Sequence, residues 1–201
     1  MSSRVLVIGV NSKYVHTNLA IRYFRENAGC DIFECSINDN IFDVYSKLLE
    51  MDYEIFAFSV YIWNRDFCCN LIKMIKASKD VTVIAGGPEA SFGTEDFFAL
   101  CPQCDGICSQ EGESTFIALE KGVKLQDAPN MIFKNHKTEC VQFPLEQMKF
   151  PYKKEDLNNA KILYFETSRG CIFNCSYCLS SAMGKQDILL MTMYLTDLIS
   201  L

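Results

Sequence analysis

Three cysteines at positions 171, 175 and 178, spaced CxxxCxxC in the stretch TSRGCIFNCSYC, carry the strongest chemical signal in the sequence. Three thiolates on one short loop can each ligate one iron of a cubane cluster, leaving the fourth iron open to a substrate or cofactor. A closed structural zinc site would instead want four ligands, commonly arranged as CxxC pairs. Positions i, i+4 and i+7 also share one face of a helix, so three small packed residues are the competing local reading. Gly170 and the turn-forming stretch 174–176 favour a loop. Cys101, Cys104 and Cys108 show the mirrored spacing CxxCxxxC. Cys104 and Cys108 border an apolar run, however, where cysteine serves as a small buried hydrophobe.

Eleven cysteines in a 201-residue chain suggest metal binding or catalysis in a reducing compartment before they suggest disulfides. Hydrophobic residues make up 49% and charged residues 22%, ordinary values for a globular protein. The formal net charge of −6, with no basic stripe, argues against binding driven by nucleic-acid phosphates. The opening MSSRVLVIGV lacks the longer apolar core and cleavage site of a signal peptide. The longest apolar stretch near the end, residues 188–195, is far short of the ~20 residues that cross a bilayer. The expectation is a cytoplasmic protein associated with neither nucleic acid nor membrane.

The elements that must position the chemistry alternate along the first 120 residues. Apolar runs at 4–10, 31–37, 53–61, 81–85 and 104–109 interleave with amphipathic stretches at 17–27, 40–51, 64–78, 94–100 and 113–121. Strands apolar on both faces belong to a parallel sheet covered by helices on each side, so the pattern predicts a doubly wound α/β domain over residues 1–122. Asn40 and Asn64 each precede a helix and have the chemistry of N-caps. Residues 131–134 and 139–143 flank Asn135-His136-Lys137 as a small hairpin, and the polar, proline-bearing stretch 144–161 reads as a linker. The hairpin and linker span residues 123–160; a new strand at 162–167 then leads into the cysteine loop and opens a second unit over 161–201.

Ligands of open α/β sheets bind beyond the carboxyl ends of the strands. At those ends stand NSKYVHTNLA, SVYIWN, GGPEAS and QEGES, in chain order. Gly86 and Gly87 would let a bulky cofactor approach the backbone. The set resembles the Rossmann-like cobalamin-binding fold, with its DxHxxG, SxL and GG segments, and here His16, Ser59 and Gly86-Gly87 stand in their places. Tyr14 replaces the aspartate of that pattern and Leu19 its last glycine, so His16 lacks the carboxylate that would orient a cobalt-ligating imidazole. EGESTF resembles the GEGE segment at the end of such domains and places Glu111 at a domain junction or at the start of a helix.

TSRGCIFNCSYC in turn resembles the signature of the radical S-adenosylmethionine superfamily, CxxxCxΦC, with Tyr177 as its aromatic residue and Ile172 where many relatives carry proline. The resemblance implies a 4Fe-4S cluster on Cys171, Cys175 and Cys178, whose open iron chelates S-adenosylmethionine and whose electron releases a 5′-deoxyadenosyl radical. It implies adenine contact at Tyr177, cobalamin on His16, Ser59, Gly86, Gly87 and Glu111, and a flavodoxin or ferredoxin as reductant of the full-length enzyme. The two resemblances together describe the N-terminal part of a cobalamin-dependent radical enzyme, of methyl-transfer or rearrangement type. A complete barrel takes about 250 residues. The expectation is therefore a truncated radical domain without turnover, or one completed by a partner chain. The alternatives are a corrinoid- or partner-binding module whose cysteines hold zinc or nothing, and a flavin-binding domain, against which stands the absence of a phosphate cradle after the first strand.

Overall fold

A computed structural model describes residues 3–157, 162–173, 175–180 and 187–188. Five strands, β1 (Val5–Asn11), β2 (Asp31–Ser36), β3 (Ile55–Ser59), β4 (Thr82–Gly86) and β5 (Gly106–Cys108), form the parallel part of one sheet. A short sixth strand, β6 (Met131–Ile132), adds to β5 in the antiparallel sense, giving the order β2-β1-β3-β4-β5-β6. Between them run α1 (Leu19–Ala28), α2 (Ile41–Glu50), α3 (Arg65–Ser78), the single turn α4 (Pro88–Ser91), α5 (Thr94–Leu100) and α6 (Glu113–Glu120). The predicted doubly wound α/β class is the observed one.

Every residue of β1 and β3 is buried, because helices cover both faces of the sheet. Leu6, Ile8, Phe56 and Phe58 point into the layer beneath α2, α3 and α5. Val5, Val7, Ile55 and Ala57 point the other way, against Ile21 and Phe24 of α1 and Phe116 and Leu119 of α6. Each such Leu, Ile or Phe removed from water contributes about 1.5–3 kcal/mol. The strand-bordering cysteines follow the same alternation. Cys104 belongs to the first layer and Cys108 to the second, so the CxxCxxxC group is divided between the two faces of the sheet and cannot share a metal. Burial pushes the thiols of Cys104 and Cys108 up to about 12, as expected of inert packed sulfhydryls.

Asn40 caps α2 as predicted, accepting the Phe42 amide at 2.9 Å. Asn64 does not cap α3 with its side chain. It accepts the Tyr61 amide at 2.7 Å and donates to the carbonyls of Val10 and Ser59, tying the ends of β1 and β3 together. Its amide is fully enclosed, so its loss orphans three backbone groups. Asn64→Ala should cost about 2–4 kcal/mol; a urea midpoint unchanged from wild type would refute this.

After α6 the chain departs from its predicted elements. The turn at 133–136 closes, with Phe133 N donating to His136 O, but the return arm 139–143 forms no ladder. The Asn130 side chain takes both backbone groups of Val141 and holds that arm itself. Stretch 144–157 packs onto α1 rather than running free: Leu145 and Met148 are buried with Tyr23. A short helix, α7 (Lys154–Leu157), brings Asp156 between Arg22 and Arg25. The predicted strand at 162–167 is reduced to one bridge between Ile162 and His16. Phe165 instead lies against the rings of Phe150 and Tyr152, at 5.7 and 5.5 Å. The ladder starts later, where β7 (Ser168–Arg169) pairs with β8 (Asp187–Ile188) in the antiparallel sense. The apolar stretch at 188–195 lies, apart from Ile188, outside the described residues. Among the described residues no helix is long and apolar enough to cross a membrane.

Candidate functional site

The chain runs from β1 outward to β2, then returns to place β3 on the other side of β1. Loops leaving the two strands therefore diverge, and the crevice this opens at the carboxyl edge is where open α/β sheets bind ligands. A cavity of about 300 Å³ begins there. Its floor is the sheet, at Val7, Ala57 and Ile84, and its sides are α1 and α6. Small side chains at Ala20, Ala57 and Ser59 leave the room, and the lining is mostly apolar. Tyr61 lines the cavity together with Ser59, and burial pushes its phenol up.

Four of the predicted cofactor residues, Ser59, Gly86, Gly87 and Glu111, line this one cavity. Gly86 ends β4, paired with Ser59 on one side and Cys108 on the other. Gly87 has a φ of +91°, and a Cβ there would stand 2.5 Å from the Val60 carbonyl oxygen. The glycine pair thus serves the chain's own crossing of the β3 loop as well as leaving the mouth open to a ligand. The Glu111 carboxylate accepts the Phe143 amide at 3.0 Å and lies 3.5 Å from the Arg169 guanidinium, which puts Glu111 at the junction with the cysteine-bearing segment.

His16 and Tyr177 lie elsewhere. His16 occupies a neighbouring depression with Asn11 and Thr17, its Nδ1 hydrogen-bonded with the Tyr164 hydroxyl. Tyr177 is 90% exposed. Cys171, Cys175 and Cys178 are partly exposed on one loop, with the Cys178 amide donating to the Cys175 carbonyl at 3.1 Å. Among the described residues no three Cys, His, Asp or Glu side chains converge closely enough to hold a metal ion. The fit to a cluster rests on donor chemistry: three soft sulfurs within eight residues on an accessible loop. Binding of a metal to such ligands is coupled to the ordering of the segment that carries them.

Arg169, in the Ser-Arg-Gly before the first cysteine, and Glu113, in EGESTF, join the two parts of the site, a role the motifs did not assign them. Arg169, two residues before Cys171, enters the cavity wall and forms a two-pronged pair with Glu113 at 2.6 and 3.1 Å, while its Nε donates to Glu166 at 2.9 Å. Glu113 is the first residue of α6, where a carboxylate also meets the positive end of the helix. The excess of acids around the cavity, in EGE at 111–113 and at Glu166, was the available hint of a buried cation partner.

The architecture defines a class: a doubly wound domain with an apolar cavity at its switch point, joined to a cysteine-bearing segment. Comparison with known proteins specifies it. The model of the B12 binding domain family matches residues 5–120, and the chain belongs to that family. An uncharacterized methyltransferase of Pyrococcus horikoshii is 29% identical over 127 residues, covering 54% of this chain and 28% of the relative. The cobalamin-dependent radical SAM methyltransferase TokK of Streptomyces tokunonensis is 28% identical over 148 residues, covering 62% of this chain and 22% of the relative. The chain thus spans about a quarter of the length of the curated relatives it matches. Among solved structures, the radical S-adenosylmethionine methyltransferase TsrM of Kitasatospora setae, with cobalamin and a 4Fe-4S cluster bound, superposes on all of this chain and 46% of its own, with a TM-score of 0.66 and 15% identity. That likeness establishes the fold. The protein is a cobalamin-binding-type domain related to the cobalamin-dependent radical SAM methyltransferases, the branch its motifs resemble.

Proposed function

We propose that this chain binds cobalamin in the cavity at the carboxyl edge of its sheet and a 4Fe-4S cluster on Cys171, Cys175 and Cys178, as the N-terminal part of a methyl-transferring radical enzyme. The observation that carries the reading is spatial. One cavity gathers Ser59, Gly86, Gly87 and Glu111, and the segment leading into the three cysteines forms part of its wall through Arg169. A narrow apolar slot of about 300 Å³ suits the aromatic nucleotide tail of a corrinoid, while the macrocycle would remain outside at the open mouth. When bound, cobalamin supplies a methyl-carrying cobalt and the cluster supplies the electron that breaks the sulfonium of S-adenosylmethionine.

The chain's own residues bind and orient. Ser59 and the Gly86-Gly87 turn leave space for the tail, Val7 and Ile84 exclude water from its base, and Tyr61 presents a hydroxyl beside Ser59. Contact of the Tyr177 backbone with adenine and of His16 with cobalt would require those residues to approach ligands lying beyond the cavity.

Two loadings test the reading separately. Hydroxocobalamin should co-elute with the protein, and Ser59→Phe, which fills the slot, should reduce retention by roughly tenfold or more. Anaerobic iron and sulfide should give a brown protein, with the colour lost in Cys175→Ala. A colourless protein that takes up zinc would favour the binding-module alternative, and failure to retain hydroxocobalamin would overturn the cavity assignment.

A further inference from the structure

Arg169 is 10% exposed at its side chain and is surrounded by three carboxylates, Glu111, Glu113 and Glu166. Its planar face also lies 5.8 Å from the centre of the Tyr23 ring on α1. One side chain from the cysteine-bearing segment is thereby held by α6, by α1 and by Glu166 just upstream of its own strand. Only a guanidinium, with donors fixed in a fork, can bridge two prongs of Glu113 and a second acid at the same time.

Few other contacts hold this segment near the cavity. Further upstream, Ile162 and Tyr164 attach it through the Thr17 and Tyr152 hydroxyls and the His16 ring, and Phe165 through the rings of Phe150 and Tyr152. Between Phe165 and Cys171 the polar attachment to the sheet domain runs through Arg169 alone among the described residues.

We propose that Arg169 is a positioning residue that clasps the cysteine loop onto the carboxyl edge of the sheet, setting the distance between the sulfur donors and the cavity and closing one cavity wall. The proposal needs neither cofactor to be present and stands apart from the assignment above. A single removed clasp should free the segment while leaving the sheet intact, because the sheet's own core lies in the two layers beneath α1, α6, α2, α3 and α5.

Hydrogen exchange read by mass spectrometry on the ligand-free protein tests this. In Arg169→Met, amides of residues 165–173 should exchange roughly a hundredfold faster, while those of β1, β3 and β4 keep their protection. Arg169→Lys, which keeps the charge and loses the fork, should give a smaller increase of roughly tenfold. Glu166→Gln lies outside the sheet domain and should loosen the same residues by a few-fold even if the Arg169 variants fold poorly. Unchanged exchange at 165–173 in Arg169→Met would overturn the clasp. So would an increase spread evenly across 5–120, the mark of general destabilisation, or a lysine variant indistinguishable from methionine.

Discussion

Gly87→Ala should destabilise the protein by about 3–5 kcal/mol, lowering the melting midpoint by roughly 10–15 °C. Two costs add. Position 87 has a φ of +91° and a ψ of 170°, a conformation that side-chain-bearing residues reach only with strain of about 1–3 kcal/mol. The new Cβ would also stand 2.5 Å from the Val60 carbonyl oxygen and 3.1 Å from its nitrogen, so backbone must move rather than a side-chain tip. Val60 is not free to yield, since its amide donates to the Gly86 carbonyl at 2.7 Å and its side chain is fully buried. Any yielding would pass directly to Ser59 at the cavity mouth. Hydroxocobalamin retention should therefore fall together with stability, in Gly87→Ala more than in Gly93→Ala, where a Cβ meets nothing closer than 3.7 Å. Thermal melts followed by circular dichroism decide the matter; a midpoint for Gly87→Ala within about 3 °C of wild type would contradict it.

Asp156→Ala should detach the 144–157 segment from α1 at a cost of about 3–5 kcal/mol, the usual consequence of removing one member of a buried ion pair. The carboxylate is 7% exposed and accepts from Arg22 at 3.2 Å and from Arg25 at 2.6 and 3.1 Å. Arg22 keeps Glu34 at 2.7 Å when Asp156 is lost, whereas Arg25 is left with its own neighbour Glu26 and the Pro151 carbonyl. Burial alone would raise the Asp156 carboxyl, but the Arg25 hydrogen bond, the Lys153 amide and the two positive charges hold it below the usual carboxylate range. A depressed folded-state value means that its stabilisation is complete above the unfolded carboxylate value and is lost as pH falls through the folded one. The difference between wild type and Asp156→Ala should thus be level through neutral pH and shrink only in acid. Limited proteolysis within 144–157 at several pH values provides the measurement, and a difference that grew on acidification would reverse the sign and the argument.

These two positions differ in how visible they are before folding. Gly-Gly after an apolar run already marks a tight passage at a strand end, because no other residue tolerates such a backbone cheaply. Asp156 sits in a polar, proline-flanked stretch that looks like connecting chain. Nothing local says that it will meet Arg22 and Arg25, more than 130 positions away. Asn64 illustrates the intermediate case: its cap-forming residue type is plain from sequence, yet the end of β1 claims its side chain. Likewise Tyr164 and Phe165 form no extended strand: the Tyr152 hydroxyl bonds the backbone of Tyr164, and the rings of Phe150 and Tyr152 hold Phe165.

The order of residues by itself determined the alternating elements, the doubly wound class, the positions of the strand-end loops and the three-sulfur loop. All of these follow from periodicity and spacing over a few residues, where chain connectivity enforces proximity. Only the tertiary structure decided which strand-end residues share a cavity, bringing Ser59, Gly86, Gly87 and Glu111 together and leaving His16 in the next depression. It also chose Glu113 as the partner of Arg169, 56 positions away. Charges carry no address in a sequence, and a buried pair is selected by whichever surfaces the packed core brings together and dries.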